Sequence, residues 1–210
     1  MKTRLMIAAA AVMALQARQT MSMGENTVIV YFENALAPRD DFAAKGQVER
    51  MFASAGVQIV WRNGTPSADV IAGERSIVVR FVLHTPDTDH PGALAFALPY
   101  EGTHLRIFYD RVQLENPRAT QAVLAHVLVH EITHLLQRIE RHSECGIMKA
   151  HWTAEDYSEM TFRPLAFTPD DIALIHAGLN VRKTPGVVPT SAASTAPRET
   201  DPVSLRQGTR

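Results

Sequence analysis

The amino-acid sequence predicts an α+β fold, in which a twisted mixed sheet of about five strands precedes a long helix and a C-terminal helix. Strand-length segments rich in β-branched and aromatic residues run together in the first half of the chain, and helical spacing of apolar residues dominates the second half. The chain has 210 residues, 46% of them hydrophobic, which is enough for one domain that buries its own core.

The predicted strands are short and rich in Val, Ile and aromatic side chains. A helix over 40–55 separates the first two strands, because its apolar residues fall on one helical face and Gly56 can end it. A turn at 100–102 separates the last two strands. The predicted strands are Thr27–Phe32, 57–61, 76–83, 93–98 and 104–109.

Two further helices follow the strands, with an irregular segment between them. Asn116 and Pro117 suit the cap and the first position of a helix, and apolar residues at helical spacing continue it to about Arg141. The last helix, over 169–179, carries Asp170 and Asp171 in its first turn, where the helix dipole favours acidic side chains.

The two ends of the chain differ in composition from the rest. Lys2 and Arg4 precede an apolar stretch and the small residue Ala17, which is the pattern of a signal peptide over residues 1–17. Residues 183–210 are rich in Pro, Ser, Thr and Gly and predict a disordered tail. We therefore expect one folded domain over 26–182 in a secreted or periplasmic protein.

Composition excludes several classes of protein. The formal net charge is −1, so a strongly basic nucleic-acid binder is not expected. The single cysteine, Cys145, excludes an intramolecular disulfide framework, and nine histidines favour imidazole ligands for any metal. No apolar run of about 18 residues lies beyond the leader, so no stable membrane span is expected after signal removal. The sequence leaves the oligomeric state open.

Residues 130–134 (HEITH) place two histidines four residues apart on the predicted central helix. This spacing puts His130 and His134 one turn apart on one face, where both imidazoles can bind one Zn²⁺. Glu131 follows the first ligand and is the candidate general base, which would take a proton from a zinc-activated water. The pattern therefore predicts a catalytic centre with Zn²⁺ as its cofactor.

A catalytic zinc usually takes three protein ligands, and several residues could supply the third. His142 is the first choice, because it lies eight residues after His134, just past the expected helix end, where the chain can fold back. His126 lies one turn before His130, too far from His134 to share one ion easily, and is expected to pack beside or support the site. The alternatives to His142 are Glu155, Glu159, His151 and Cys145.

These residues resemble those of the metzincin zinc metallopeptidases, most closely the matrixin-like kind. After HEITH, His142-Ser143 resembles the family's third histidine and the serine that follows it, and Gly146-Ile147-Met148 resembles its methionine turn beneath the metal. Segments 93–99, 104–112 and 167–179 resemble the edge strand, the last strand and the closing helix. The resemblance implies a metzincin-like fold over about 27–179, with zinc held by the three histidines.

The spacing departs from the family pattern H-E-x-x-H-x-x-G-x-x-H. Seven residues separate His134 from His142, where the family has five, and Gln137 stands at the glycine position. The two extra residues predict that the helix continues about half a turn further before the chain reverses.

The expected function is that of an exported zinc metalloendopeptidase acting on protein or peptide substrates. Glu131 would pass its proton to the leaving amine, and an extended substrate would pair with the edge strand over 93–98. His151 and Trp152 would line one side of a specificity pocket. Two alternatives stay open: a catalytically inactive, zinc-stabilised extracytoplasmic binding module, and a metal-free extracytoplasmic interaction domain.

Overall fold

The computed structural model describes residues 24, 26–34, 36, 38–73, 76–97 and 103–182. Five strands form one mixed sheet, which confirms the predicted fold class and strand number. Their bounds are β1 Thr27–Phe32, β2 Gln58–Asn63, β3 Ser76–Val82, β4 Ala95–Ala97 and β5 His104–Phe108. The predicted leader over 1–17, the tail over 183–210 and the turn at 100–102 lie outside the described residues.

Helices cover the sheet and connect its strands. Three of them were not predicted, because each has only six or seven residues and gives little periodic signal. The bounds in the described part are α1 Pro38–Ser54, α2 Ala68–Gly73, α3 Tyr109–Glu115, α4 Thr120–Gln137, α5 Ala154–Met160 and α6 Pro169–Arg182. Within this part, no helix has the length and apolar character needed to cross a membrane.

The strand order is β2-β1-β3-β5-β4. Four strands run parallel, and β4 alone pairs antiparallel, against β5. β1 and β3 are buried over most of their length, which matches their nearly continuous runs of apolar residues. At the opposite end of the order from β2, the short strand β4 is an edge of the sheet.

The helix α4 lies at the centre of the molecule. It packs against α1, α3 and α6 and contacts β4 and β5. Every residue of α4 except Gln121 is buried, so the polar side chains of this helix are held inside the core. A buried polar side chain requires partners, and these partners define the candidate site.

Both predicted ends of α4 were wrong. Asn116 and Pro117 form a turn between α3 and α4, in which Ala119 N–H donates to the Asn116 carbonyl, and the helix begins at Thr120. The helix ends at Gln137, because Arg138 adopts the left-handed conformation (φ 58°) and donates its N–H to the His134 carbonyl. The helix α4 thus includes Gln137, which stands at the family's glycine position, and residues 138–141 connect the helix to His142.

The side chain of Arg111, on α3, organises the loop that leads from β3 to β4. Its two terminal nitrogens donate to four main-chain carbonyls, those of Pro86, Asp89, His90 and Ala93, at 2.6–3.1 Å. The guanidinium also lies 4.8 Å from the centre of the Phe108 ring. One cation thus holds the chain in position immediately before the edge strand.

We expect Arg111→Lys to lower the free energy of unfolding by about 2 kcal/mol, because an ammonium cannot reach four carbonyls in the geometry of a guanidinium. Arg106→Lys is the matched control. Arg106 is partly exposed, pairs with Asp89 and lies over the rings of Phe96 and Phe108, contacts that a lysine can largely keep, so this change should cost less than about 1 kcal/mol. Urea unfolding measures both. Equal losses would show that the carbonyl contacts of Arg111 contribute nothing specific.

Candidate metal centre

Two imidazoles project from α4 towards each other. His130 Nδ1 lies 2.9 Å from the Ile147 carbonyl, and His134 Nδ1 lies 3.3 Å from the Ile139 carbonyl. A carbonyl only accepts, so each Nδ1 carries the proton and donates. The Nε2 atoms of both rings therefore present lone pairs, and these two atoms are 3.0 Å apart.

Two facing lone pairs repel each other unless a cation lies between them. His142 completes the group, since its ring centre lies 5.3 Å from that of His130 and 4.9 Å from that of His134. One ligand atom from each histidine lies within 4.8 Å of the others. Zinc–nitrogen bonds of about 2.0–2.1 Å place neighbouring tetrahedral ligands about 3.3–3.4 Å apart, so the three residues fit such an ion.

His130 and His134 are held in environments that favour the neutral imidazole. Burial lowers the pKa of His130 well below its usual range, and the nearby His134 adds to the effect. Burial also lowers the pKa of His134 to about 4, with a smaller contribution from His142. Metal binding requires the unprotonated imidazole, so these environments favour the binding form.

A tight turn supports His130 from below. Ser143 N–H donates to the Met148 carbonyl, and Ile147 N–H donates to the Ala166 carbonyl, so the turn is tied at its base and to the segment before α6. Gly146 has φ 76°, and a Cβ at that position would lie 2.2 Å from the Ala166 oxygen. The turn therefore needs glycine here, and it presents the Ile147 carbonyl to His130.

Glu131 is the buried carboxyl group of the site. It follows His130 directly on α4 and is 3% exposed. Burial raises the pKa of Glu131 to about 8. Next to the candidate metal ligands, the chain thus holds a carboxyl group whose affinity for a proton is increased.

The other sequence candidates lie outside the group of three. Among the described residues, the potential metal ligands that converge are His130, His134 and His142, without a glutamate. Glu159 pairs with Arg163 at 3.0 Å. The remaining candidates are all exposed: Glu155, His151 and Cys145.

His126 and Trp152 support α4 from the interior. His126 Nδ1 donates to the Ala122 carbonyl, and Leu165 N–H donates to His126 Nε2, so both ring nitrogens have partners. Trp152 is 2% exposed and its ring meets the His130 ring edge-on at 5.6 Å. Trp152 is thus part of the core that packs against His130.

Sequence reasoning missed the groups that orient the rings. The carbonyls of Ile139 and Ile147 fix the tautomers of His134 and His130. A main-chain oxygen carries no residue-type signal, so the sequence offers no means of finding these contacts. They become visible only once the loop after α4 and the turn at 143–149 are in place.

We compared the chain with known protein families, curated proteins and solved structures. No family model and no curated protein matches the chain. Among solved structures, archaemetzincin from Methanopyrus kandleri matches with a TM-score of 0.52 and 13% identity, over 76% of this chain and 99% of that one. The fold is metzincin-like. The match extends to the fold alone, and the matrixin-like resemblance stays a prediction.

Proposed function

We propose that this chain is a zinc-dependent metallopeptidase that cleaves peptide bonds within protein or peptide substrates. One observation carries the proposal: three histidine nitrogens converge within 4.8 Å, and the helix that carries two of them also holds the buried Glu131. The set of three imidazoles suits zinc, which binds nitrogen ligands and leaves a position open in catalytic sites. The metzincin-like fold supports the same conclusion.

The proposed mechanism assigns separate roles to the residues of the site. Zinc, when bound, supplies Lewis-acid polarisation of water and of the scissile carbonyl. Through their carbonyl contacts, His130 and His134 keep Nε2 free to bind the ion. Glu131 acts as general base, takes a proton from the attacking water and returns it to the leaving amine.

The edge strand β4 is the proposed guide for the substrate. It contacts α4 and pairs with β5 on one side, so its outer edge can accept an extended peptide as a further strand. Arg111 fixes the loop immediately before this strand. Main-chain pairing would then set the register of the substrate over the three histidines.

Export remains part of the proposal. The charged and apolar leader over 1–17 supports secretion or transport to the periplasm. We propose that the endopeptidase acts there on unfolded or extended polypeptides, since β-augmentation requires an extended substrate.

The proposal predicts that His142→Ala weakens zinc binding by more than the roughly 10- to 100-fold that loss of an outer hydrogen-bonding partner typically costs. The control is His151→Ala, because His151 is exposed and outside the cluster. Competition with a chromogenic chelator gives zinc affinity, and cleavage of a general protein substrate with and without chelator gives activity.

The outcomes separate the candidate functions. Tight zinc binding with chelator-sensitive cleavage supports the peptidase. Tight binding without any cleavage would overturn it in favour of a zinc-stabilised binding module. A purified, folded chain that holds no metal would overturn both and leave the metal-free interaction domain.

A further inference from the structure

A buried acid lies outside the group of candidate ligands but is connected to it. Asp171, in the first turn of α6, is fully buried. Its two carboxylate oxygens accept hydrogen bonds from different residues, and its main-chain oxygen accepts one from another residue. A buried carboxylate is costly unless it is paired, so its partners indicate what it does.

One carboxylate oxygen serves the helix itself. Thr168 N–H donates to Asp171 Oδ2 at 2.9 Å, and Asp171 N–H donates to Thr168 Oγ1 at 3.2 Å. This reciprocal pair is a capping box, which satisfies main-chain donors at the start of α6. It would exist whether or not the chain bound a metal.

The other carboxylate oxygen holds the chain on both sides of His142. Ser143 Oγ–H donates to Asp171 Oδ1 at 2.6 Å, and Arg141 Nη1 donates to the same atom at 3.1 Å. Arg141 Nη1 also lies 3.3 Å from Ser143 Oγ, which closes the network. The residues immediately before and after the third histidine thus meet on one atom.

The same residue also holds the start of this loop. Gln137, the last residue of α4, donates from Nε2 to the Asp171 carbonyl at 3.2 Å. The segment 138–142 is therefore attached to Asp171 at both ends. It carries His142 and contains the Ile139 carbonyl that orients His134.

We propose that Asp171 is the positioning residue for the metal centre, which places His142 and closes the lengthened loop between the second and third histidines. The inference rests on the proposed function only through metal binding. It explains how a loop with two more residues than the family pattern can still deliver its histidine to the other two. The ionic hydrogen bonds to Ser143 and Arg141 replace the constraint of a shorter connection.

Zinc affinity of full-length variants tests this role. Asp171→Asn should weaken zinc binding by about 10- to 100-fold, because an amide cannot accept from Thr168, Ser143 and Arg141 together. Thr168→Val is the matched control, since it removes the capping-box acceptor and leaves Asp171 Oδ1 untouched. Asp170→Asn is the charge control, because Asp170 is 81% exposed and lies near Arg141. Both controls should keep the zinc affinity of the parent within about two-fold.

Ser143→Ala provides an independent test, because the substituted residue lies outside α6. It removes one donor to Asp171 Oδ1 and should weaken zinc binding by about ten-fold. Combined with Asp171→Asn, its effect should be less than additive, because both changes break the same network. The Co²⁺ absorption spectrum should change in both variants and stay constant in both controls.

Two results would overturn the inference. In the first, Asp171→Asn and Thr168→Val lower the unfolding temperature of the metal-free protein alike, while Asp171→Asn and Ser143→Ala bind zinc like the parent. Asp171 would then only cap a helix, and the peptidase proposal would stand. In the second, the parent chain itself has no zinc affinity, and the proposed function falls together with this role of Asp171.

Discussion

Glu131→Gln is expected to reduce kcat/KM for peptide cleavage by about 10²- to 10⁴-fold, while zinc affinity stays within a small factor of the parent. Glutamine has the shape of glutamate and cannot accept the proton of the attacking water. Glu131 does not belong to the group of converging ligands, which consists of His130, His134 and His142. This variant should therefore lose activity and keep its zinc.

Initial rates on a quenched peptide, together with zinc content by elemental analysis, measure the two properties. Glu155→Gln is the control, because Glu155 is exposed on α5 and should leave both unchanged. Cleavage at the parent rate would remove Glu131 from the mechanism. Loss of zinc together with activity would instead make Glu131 a part of the metal-binding structure.

Gly178→Ala is expected to cost about 3 kcal/mol in the free energy of unfolding. Gly178 lies in α6 where this helix crosses the end of α4, and a Cβ there would lie 1.8 Å from the Leu136 carbonyl oxygen. Neither partner is the end of a flexible side chain, so one helix must move. Leu136 is two residues from His134, and the movement should also weaken zinc binding.

Gly46→Ala is the matched control within another helix. A Cβ at Gly46 would lie 3.6 Å from the tip of Arg50, which is ordinary contact, so alanine should stabilise α1 by about 0.5–1 kcal/mol. The unfolding temperature and the urea midpoint should therefore both fall in Gly178→Ala and both rise in Gly46→Ala. Unchanged stability in Gly178→Ala would contradict the close packing of α4 on α6, and a loss of stability in Gly46→Ala would contradict the ordinary contact at that position.

The strands could be predicted from sequence because their signal is local. The bounds of β1 agree with those predicted from its run of β-branched and aromatic residues, and the start of β3 agrees as well. Only part of α4 had such a signal. Ile139 continues the apolar spacing of the helix, but the left-handed turn at Arg138 ends it, and the carbonyl of Ile139 contacts His134. Tertiary contact, not periodicity, sets this boundary.

The residues of the candidate site also fall into those that the sequence could predict and those that only the folded structure reveals. The spacing of HEITH on a helix pointed to His130, Glu131 and His134 from sequence alone. The position of His142, eight residues after His134, made it the first choice over the glutamates, and the folded loop brings it to the other two histidines. Asp171 looked from sequence like a favourable charge in the first turn of a helix. Its contacts with Arg141 and Ser143 span 28–30 residues of chain, a distance over which composition and periodicity carry no information.

The carbonyl contacts of His130 and His134 have a consequence for the evolution of such a site. The oxygens belong to the main chain at Ile147 and Ile139, so any residue at these positions would supply the same acceptor. Selection on ring orientation therefore acts on the path of the backbone, which requires glycine at position 146, and not on the side chains of the residues that supply the oxygens. Distant lineages could retain the geometry of the centre after most of their residue identities have been exchanged.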